Sequence, residues 1–156
     1  MKKILFVCTA NIARSPMAEA LFNQKMEELG LVDRYHAESA GTWAVDGIPA
    51  PADGQNVMKS LGLDTSTHRS REISDEIMNA ADLILTMETG HKEALQVEYP
   101  SYRDKVWMLS EISGPAYDIT DPYMQGYEKY LEIAREIDRL LDRGMVRILE
   151  LAEESE

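Results

Sequence analysis

The sequence has one cysteine, Cys8, in 156 residues. A single thiol excludes an intramolecular disulfide and any metal site built on several cysteines. It suits a reducing compartment, where a free thiol persists. No apolar stretch approaches the roughly 18 residues that span a bilayer. The opening MKKILFVCTA begins like a signal peptide, but its apolar run is too short and polar residues interrupt the chain after it. It reads instead as a buried first strand, and the expected location is cytoplasmic. Positive charge is also scarce: 16 Lys and Arg stand against 28 Asp and Glu, a formal net charge of −12. Nucleic acid and anionic membrane surfaces are polyanions, so neither is an expected partner. The same charge repels anionic substrates at long range, and phosphate chemistry here requires a local positive pocket.

What is present reads as one domain over residues 1–156, without repeats, low-complexity tracts or a linker. Residues 4–7 form a continuous apolar run, the pattern of a strand covered on both faces. Ser15 and Pro16 read as an N-cap and a first helical residue. Met17, Ala18, Leu21, Phe22, Met26 and Leu29 come next at helical spacing, and Gly30 supplies a stop. A second strand is expected over 35–39, a loop through GTWAVDGIPAPADG, and a helix over 52–61. ADLILTMET repeats the first pattern, with a strand at 83–87 and a helix from Glu88. A fourth strand at 106–109 and a loop, SGPAYDITDPYMQGY, precede a long amphipathic helix. That helix carries Leu131, Ala134, Ile137, Leu141, Met145 and Ile148 on one face, and Gly144 argues against its running unbroken. The alternation implies an α/β single-domain, flavodoxin-like sandwich: a four-stranded parallel sheet with helices on both faces. Ligands of such sheets bind outside the carboxyl ends of the strands. Cys8, Ser39 and Met87 all fall there.

Cys8 is followed by five residues and then by Arg14 and Ser15, in VCTANIARSP. A five-residue loop closing on a helix start can turn the N–H groups of Thr9, Ala10, Asn11, Ile12 and Ala13 around one tetrahedral anion. Arg14 can grip two phosphate oxygens with its planar fork. The same groups favour a thiolate at Cys8, and a Ser15 hydrogen bond to sulfur improves it as a leaving group. Taken alone, a C-x5-R match is most often a buried cysteine and a surface arginine. The strand before it and the Ser-Pro helix start after it favour chemistry.

These residues are similar to the phosphate-binding loop and first helix of the low-molecular-weight protein tyrosine phosphatase family, in LFVCTANIARSPMAEALF. The resemblance continues through SAGT, THRSREI, DLILTMET and DPY, in order along nearly the whole chain. It implies hydrolysis of phosphotyrosine and aryl phosphates on protein substrates, without metal or other cofactor. Cys8 is then the nucleophile, Arg14 the ligand of phosphate and transition state, and Asp121 the general acid. Pro122 biases Asp121 to an extended backbone, and Asp118 reads as a solvated loop residue. Trp43 and Tyr123 are candidate aromatic walls that, with the loop residues and Ser15, complete the expected substrate-binding set. His68 is implied to belong to a supporting network that links Asn11, Ser15 and Ser39. His36 and His91 read as ordinary surface or core residues, and Glu88 as a helix cap.

Two positions depart from the family pattern. Ala10 stands where glycine is usual, which strains the loop if φ there is positive. Ala13 stands where a second cysteine is common, so oxidised Cys8 lacks a neighbouring thiol. A protein arginine phosphatase is the alternative activity. Its branch tends to carry threonine at the position of Ile12, and the apolar Ile12 favours phosphotyrosine. An arsenate reductase needs further cysteines that the chain lacks. A phosphate-binding module without catalysis is supported only by Ala10 and Ala13. The oligomeric state stays open, with a monomer the simplest case.

Overall fold

The computed structural model describes residues 1–155. Four strands form one parallel sheet: β1 (Lys2–Cys8), β2 (Tyr35–Gly41), β3 (Leu83–Thr86) and β4 (Val106–Met108), in the order β2-β1-β3-β4. β1 and β3 are apolar on both faces because both faces are covered. Ile4, Phe6, Cys8, Leu83 and Leu85 pack on one side with α1 (Arg14–Leu29), α2 (Ala52–Ser60) and α5 (Tyr127–Glu154). Leu5, Val7, Ile84 and Val106 pack on the other with α3 (Asp75–Ala80) and α4 (Thr89–Glu98). The chain leaves β1 toward β2 and then crosses back to β3, so the strand order switches between β1 and β3. Cys8 ends β1 at that crevice.

α1 starts one residue before the expected cap, with Ala13 as N-cap and Arg14 as first helical residue. Ser15 does not cap it, because its hydroxyl is engaged by Asn11 and Cys8. Gly30, at φ 72°, closes the helix in the left-handed conformation expected of a glycine stop. β1 and β2 each extend beyond the expected ranges, β2 reaching Gly41 through a ladder that pairs Cys8 with Gly41. A Cβ on Gly41 would collide with Thr9 O, so only glycine lets β2 approach the loop this closely. α5 runs unbroken through Gly144. A Cβ there would meet Ile112 Cγ2 at 2.9 Å, so the glycine serves close packing rather than a break. Tyr130, Ile133 and Leu140 join its buried face, while Leu131 and Met145 lie at its edge.

Candidate active site

The switch crevice brings three segments together: the loop after β1, the start of α4, and the loop between β4 and α5. Cys8 is 2% exposed, with Sγ 3.0 Å from Ser15 Oγ. Asn11 Nδ2 donates to the same Oγ at 2.8 Å, which occupies the hydroxyl as acceptor and leaves its proton for the sulfur. Asn11 sits at φ 58°, one of two non-glycine residues with positive φ among the described residues. Asparagine tolerates that conformation better than most, and here it is tied down on three sides. Besides the Ser15 bond, Asn11 Oδ1 accepts from Arg71 N at 3.0 Å, and Asn11 O lies 2.7 Å from His68 Nε2. Ala10 has no positive φ, so the loop turns at Asn11 and the strain anticipated for alanine does not arise.

Arg14 is 1% exposed and held by its Nη1, which donates to Glu88 Oε2 at 2.5 Å and to Ile119 O at 2.7 Å. Its Nη2 has only Asp121 Oδ2, at 3.8 Å, and its buried Nε has no partner among the described residues. The N–H groups of Ala10, Asn11, Ile12 and Ala13 likewise donate to no acceptor among the described residues. A buried guanidinium edge and a run of free amides around one thiol make a socket for an anion. The cavity they border is about 60 Å³, lined by Cys8, Ala10, Ile12, Ala13, Arg14, Asp121 and Tyr123. At roughly 10–15 Å³ per water-sized group, that accommodates about the heavy atoms of one phosphate. A larger cleft of about 510 Å³ lies beside β4 and α5, lined in part by Lys105, Trp107 and Arg147. It contains neither the thiol nor the free loop amides of the smaller cavity, and Asp82, Asp104 and Glu154 line it beside its cations.

A family model described as low molecular weight phosphotyrosine protein phosphatase matches residues 3–154. The chain belongs to that family. It is 35% identical over 148 residues to a probable low molecular weight protein-tyrosine-phosphatase of Ralstonia nicotianae, covering 95% of this chain and 97% of that one. A protein-arginine-phosphatase of Geobacillus stearothermophilus is 35% identical over 142 residues, 90% of this chain and 92% of that one. Among solved structures, a low molecular weight protein tyrosine phosphatase from T. tengcongensis superposes with a TM-score of 0.89 at 39% identity, covering 94% of this chain and 99% of that one. The low molecular weight phosphatases are cysteine-based, metal-independent hydrolases that act on phosphorylated proteins. Among the described residues no helix is long and apolar enough to cross a membrane.

In this phosphatase chain the carboxylate loop is anchored to the end of β3 and the start of α4 just before Asp121. Ile119 N donates to Met87 O at 2.9 Å, and Asp118 Oδ1 accepts from Thr89 N at 2.8 Å. Asp118 therefore satisfies an orphan amide at the start of α4 as well as facing solvent. Asp121 accepts from Tyr123 N at its Oδ1, 3.0 Å away, and its carbonyl takes Gln125 Nε2 at 2.7 Å. The carboxyl group is half exposed beside the cavity mouth, where a proton can be exchanged with a leaving group.

Two expected residues lie elsewhere. Trp43 is 83% exposed and does not line the cavity; only its backbone joins the loop, through Trp43 N and Thr9 O at 2.9 Å. Its side chain lies free because the flanking loop, from Thr42 to Ala50, buries only Ala44 and Ala50. Ser39 does not hydrogen-bond Asn11 or Ser15 through its side chain. Its hydroxyl donates to Glu19 Oε1 at 2.7 Å, and its carbonyl takes Arg71 Nε at 2.9 Å. Arg71, which stands in THRSREI but takes no role from that match, is thus the joint between β2 and Asn11. Glu88 and His91 also belong to the site. Glu88 N donates to His91 Nδ1 at 3.2 Å in a reciprocal capping box, and His91 Nε2 lies 2.8 Å from Thr9 Oγ1. The local pattern marks Glu88 as the cap of α4, but not its reach to Arg14 or that of His91 to Thr9, since those partners are distant in sequence. Desolvation pushes the His91 ring below the ordinary imidazole pKa, opposed by Glu88 and helped by Arg14.

Proposed function

We propose that this chain hydrolyses phosphotyrosine and other aryl phosphates in two steps through a phosphocysteine. The observation that carries the reading is the buried Arg14, whose Nε has no partner and whose Nη2 meets only Asp121 at 3.8 Å, lining one cavity with the Cys8 thiol. The Cys8 thiolate attacks phosphorus in line, the P–O bond to the phenol breaks, and Asp121 gives its proton to the departing oxygen. Arg14 and the amides of residues 9–13 stabilise the charge on the three equatorial oxygens, the largest single contribution expected. Water then attacks phosphorus as Asp121 takes its proton. The P–S bond breaks, and the sulfur leaves as a thiolate that receives the Ser15 hydrogen bond. Tyr123 and Ile12 border the cavity and suit a flat aromatic group. His68 and Arg71 support the loop through Asn11 without entering the chemistry.

The test is turnover of p-nitrophenyl phosphate and a phosphotyrosine peptide in the presence of a chelator. Cys8→Ser abolishes both activities. Asp121→Ala slows the peptide more than p-nitrophenyl phosphate, whose phenolate leaves without help. Activity retained by Cys8→Ser sinks the reading. A second substrate, phosphoarginine, is favoured by the arginine-phosphatase relative and by the exposed carboxylates of Asp118 and Asp121, which attract a guanidinium. Ile12 opposes it. A phosphoarginine peptide in the same panel, with Ile12→Thr alongside, decides between them.

A further inference from the structure

One helix start reaches both neighbours of the nucleophile. Glu88, the N-cap of α4, clamps Arg14, and His91, one turn on, meets Thr9, the residue bonded to Cys8 in the chain. The His91 ring is 6% exposed, and the charged groups facing it are Glu88 on its own helix, Arg14 on α1, and Asp118 and Asp121 on the facing loop. Its bonds fix its tautomer. Nδ1 accepts the Glu88 N–H, so it carries no proton; a neutral ring then has its proton on Nε2, which donates to Thr9 Oγ1. Capping α4 needs only the Nδ1 bond. The second bond reaches across to the loop after β1 and does nothing for the helix.

We propose that His91 is a positioning residue, whose Nε2–H pins Thr9 and thereby the Cys8 loop in the geometry that receives phosphate. This rests on the phosphatase reading above. An attacking atom misplaced by about an ångström costs on the order of a hundredfold in rate, so an anchor one residue from the nucleophile matters to chemistry as well as to folding. The two ring nitrogens can be mimicked separately. In His91→Asn the amide stands where Nδ1 stood and keeps the cap, but it is too short for Thr9. In His91→Gln the amide reaches the Nε2 position and keeps Thr9, but loses the cap.

The experiment measures kcat/KM for p-nitrophenyl phosphate, the affinity for inorganic phosphate and Tm for the two variants and the wild type. His91→Asn is expected to be the more stable variant and the poorer enzyme, with kcat/KM lower by about tenfold, the size of one well-placed hydrogen bond, and with weaker phosphate binding. His91→Gln is expected to melt earlier yet keep more of both. In addition, 15N NMR of the wild-type ring at pH 7 gives Nδ1 bare and Nε2 protonated. The opposite tautomer, or activity and phosphate affinity that track Tm across the variants, overturns the proposal. The phosphate and NMR measurements need no turnover, so they judge His91 even if wild-type inactivity refutes the enzyme reading.

Discussion

Replacing Asn11 with alanine attacks the loop at its turning point. Two side-chain bonds vanish, the buried one to Ser15 Oγ and the half-buried one from Arg71 N, and the backbone at φ 58° loses a residue that tolerates it. The stranded Arg71 N–H costs about 1–3 kcal/mol, and alanine in the left-handed region adds about 1 kcal/mol. The sum is about 2–4 kcal/mol, and at roughly 2–4 °C per kcal/mol for a domain of this size Tm falls by about 5–15 °C. Asn11→Gly separates the two causes, since glycine adopts the turn freely but makes neither bond. It should recover about 1 kcal/mol relative to alanine. Urea unfolding gives the energies and p-nitrophenyl phosphate gives the activity, which should fall by on the order of a hundredfold in both variants as the loop loses its shape. An Asn11→Ala protein within about 0.5 kcal/mol of wild type, the scatter of a surface substitution, refutes the account, as does a glycine variant no more stable than alanine.

The same geometry gives three further outcomes. Glu88→Gln removes the charge that faces the buried Arg14; because Glu88 is a third exposed, the loss is discounted to about 1–2 kcal/mol, and an unchanged urea midpoint contradicts the clamp. His91 is neutral in the folded state and has a lowered pKa, so unfolding takes up its proton first. The stability it contributes is complete above about pH 6.5 and is lost as pH falls through the folded pKa. Urea midpoints of wild type and His91→Gln should therefore diverge above that value and converge in acid, and parallel curves refute this. Peroxide should convert Cys8, the sole cysteine, to species about 32 or 48 mass units heavier (two or three oxygens) that dithiothreitol does not reverse; full recovery with thiol contradicts it.

Where local pattern and fold agree, the sequence is readable. The doubly covered strands stand out as apolar runs, and Cys8 with Arg14 stands out because a sole thiol meets a fork at loop spacing. The first helix starts earlier than its Ser-Pro pattern predicts because Ser15, a good cap by type, is spent on Asn11 and the sulfur. α3 and the 3-10 turns Pro100–Lys105 and Ser110–Ile112 are too short to build a period. Residue type alone assigns Trp43 to a wall, yet nothing in GTWAVDG dictates which way an exposed ring faces. Glu88, His91 and Arg71 act across 74, 82 and 60 residues of chain, and only the folded sheet puts them beside Arg14, Thr9 and Asn11.

The guanidinium of Arg14 is sealed from mobile ions, whereas the acidic exterior is bathed in them. Ionic strength therefore acts on the two fields unequally, erasing the outer repulsion and sparing the inner attraction. A dianion should reach this socket faster in brine than in dilute buffer, the reverse of what steering by an open basic surface gives.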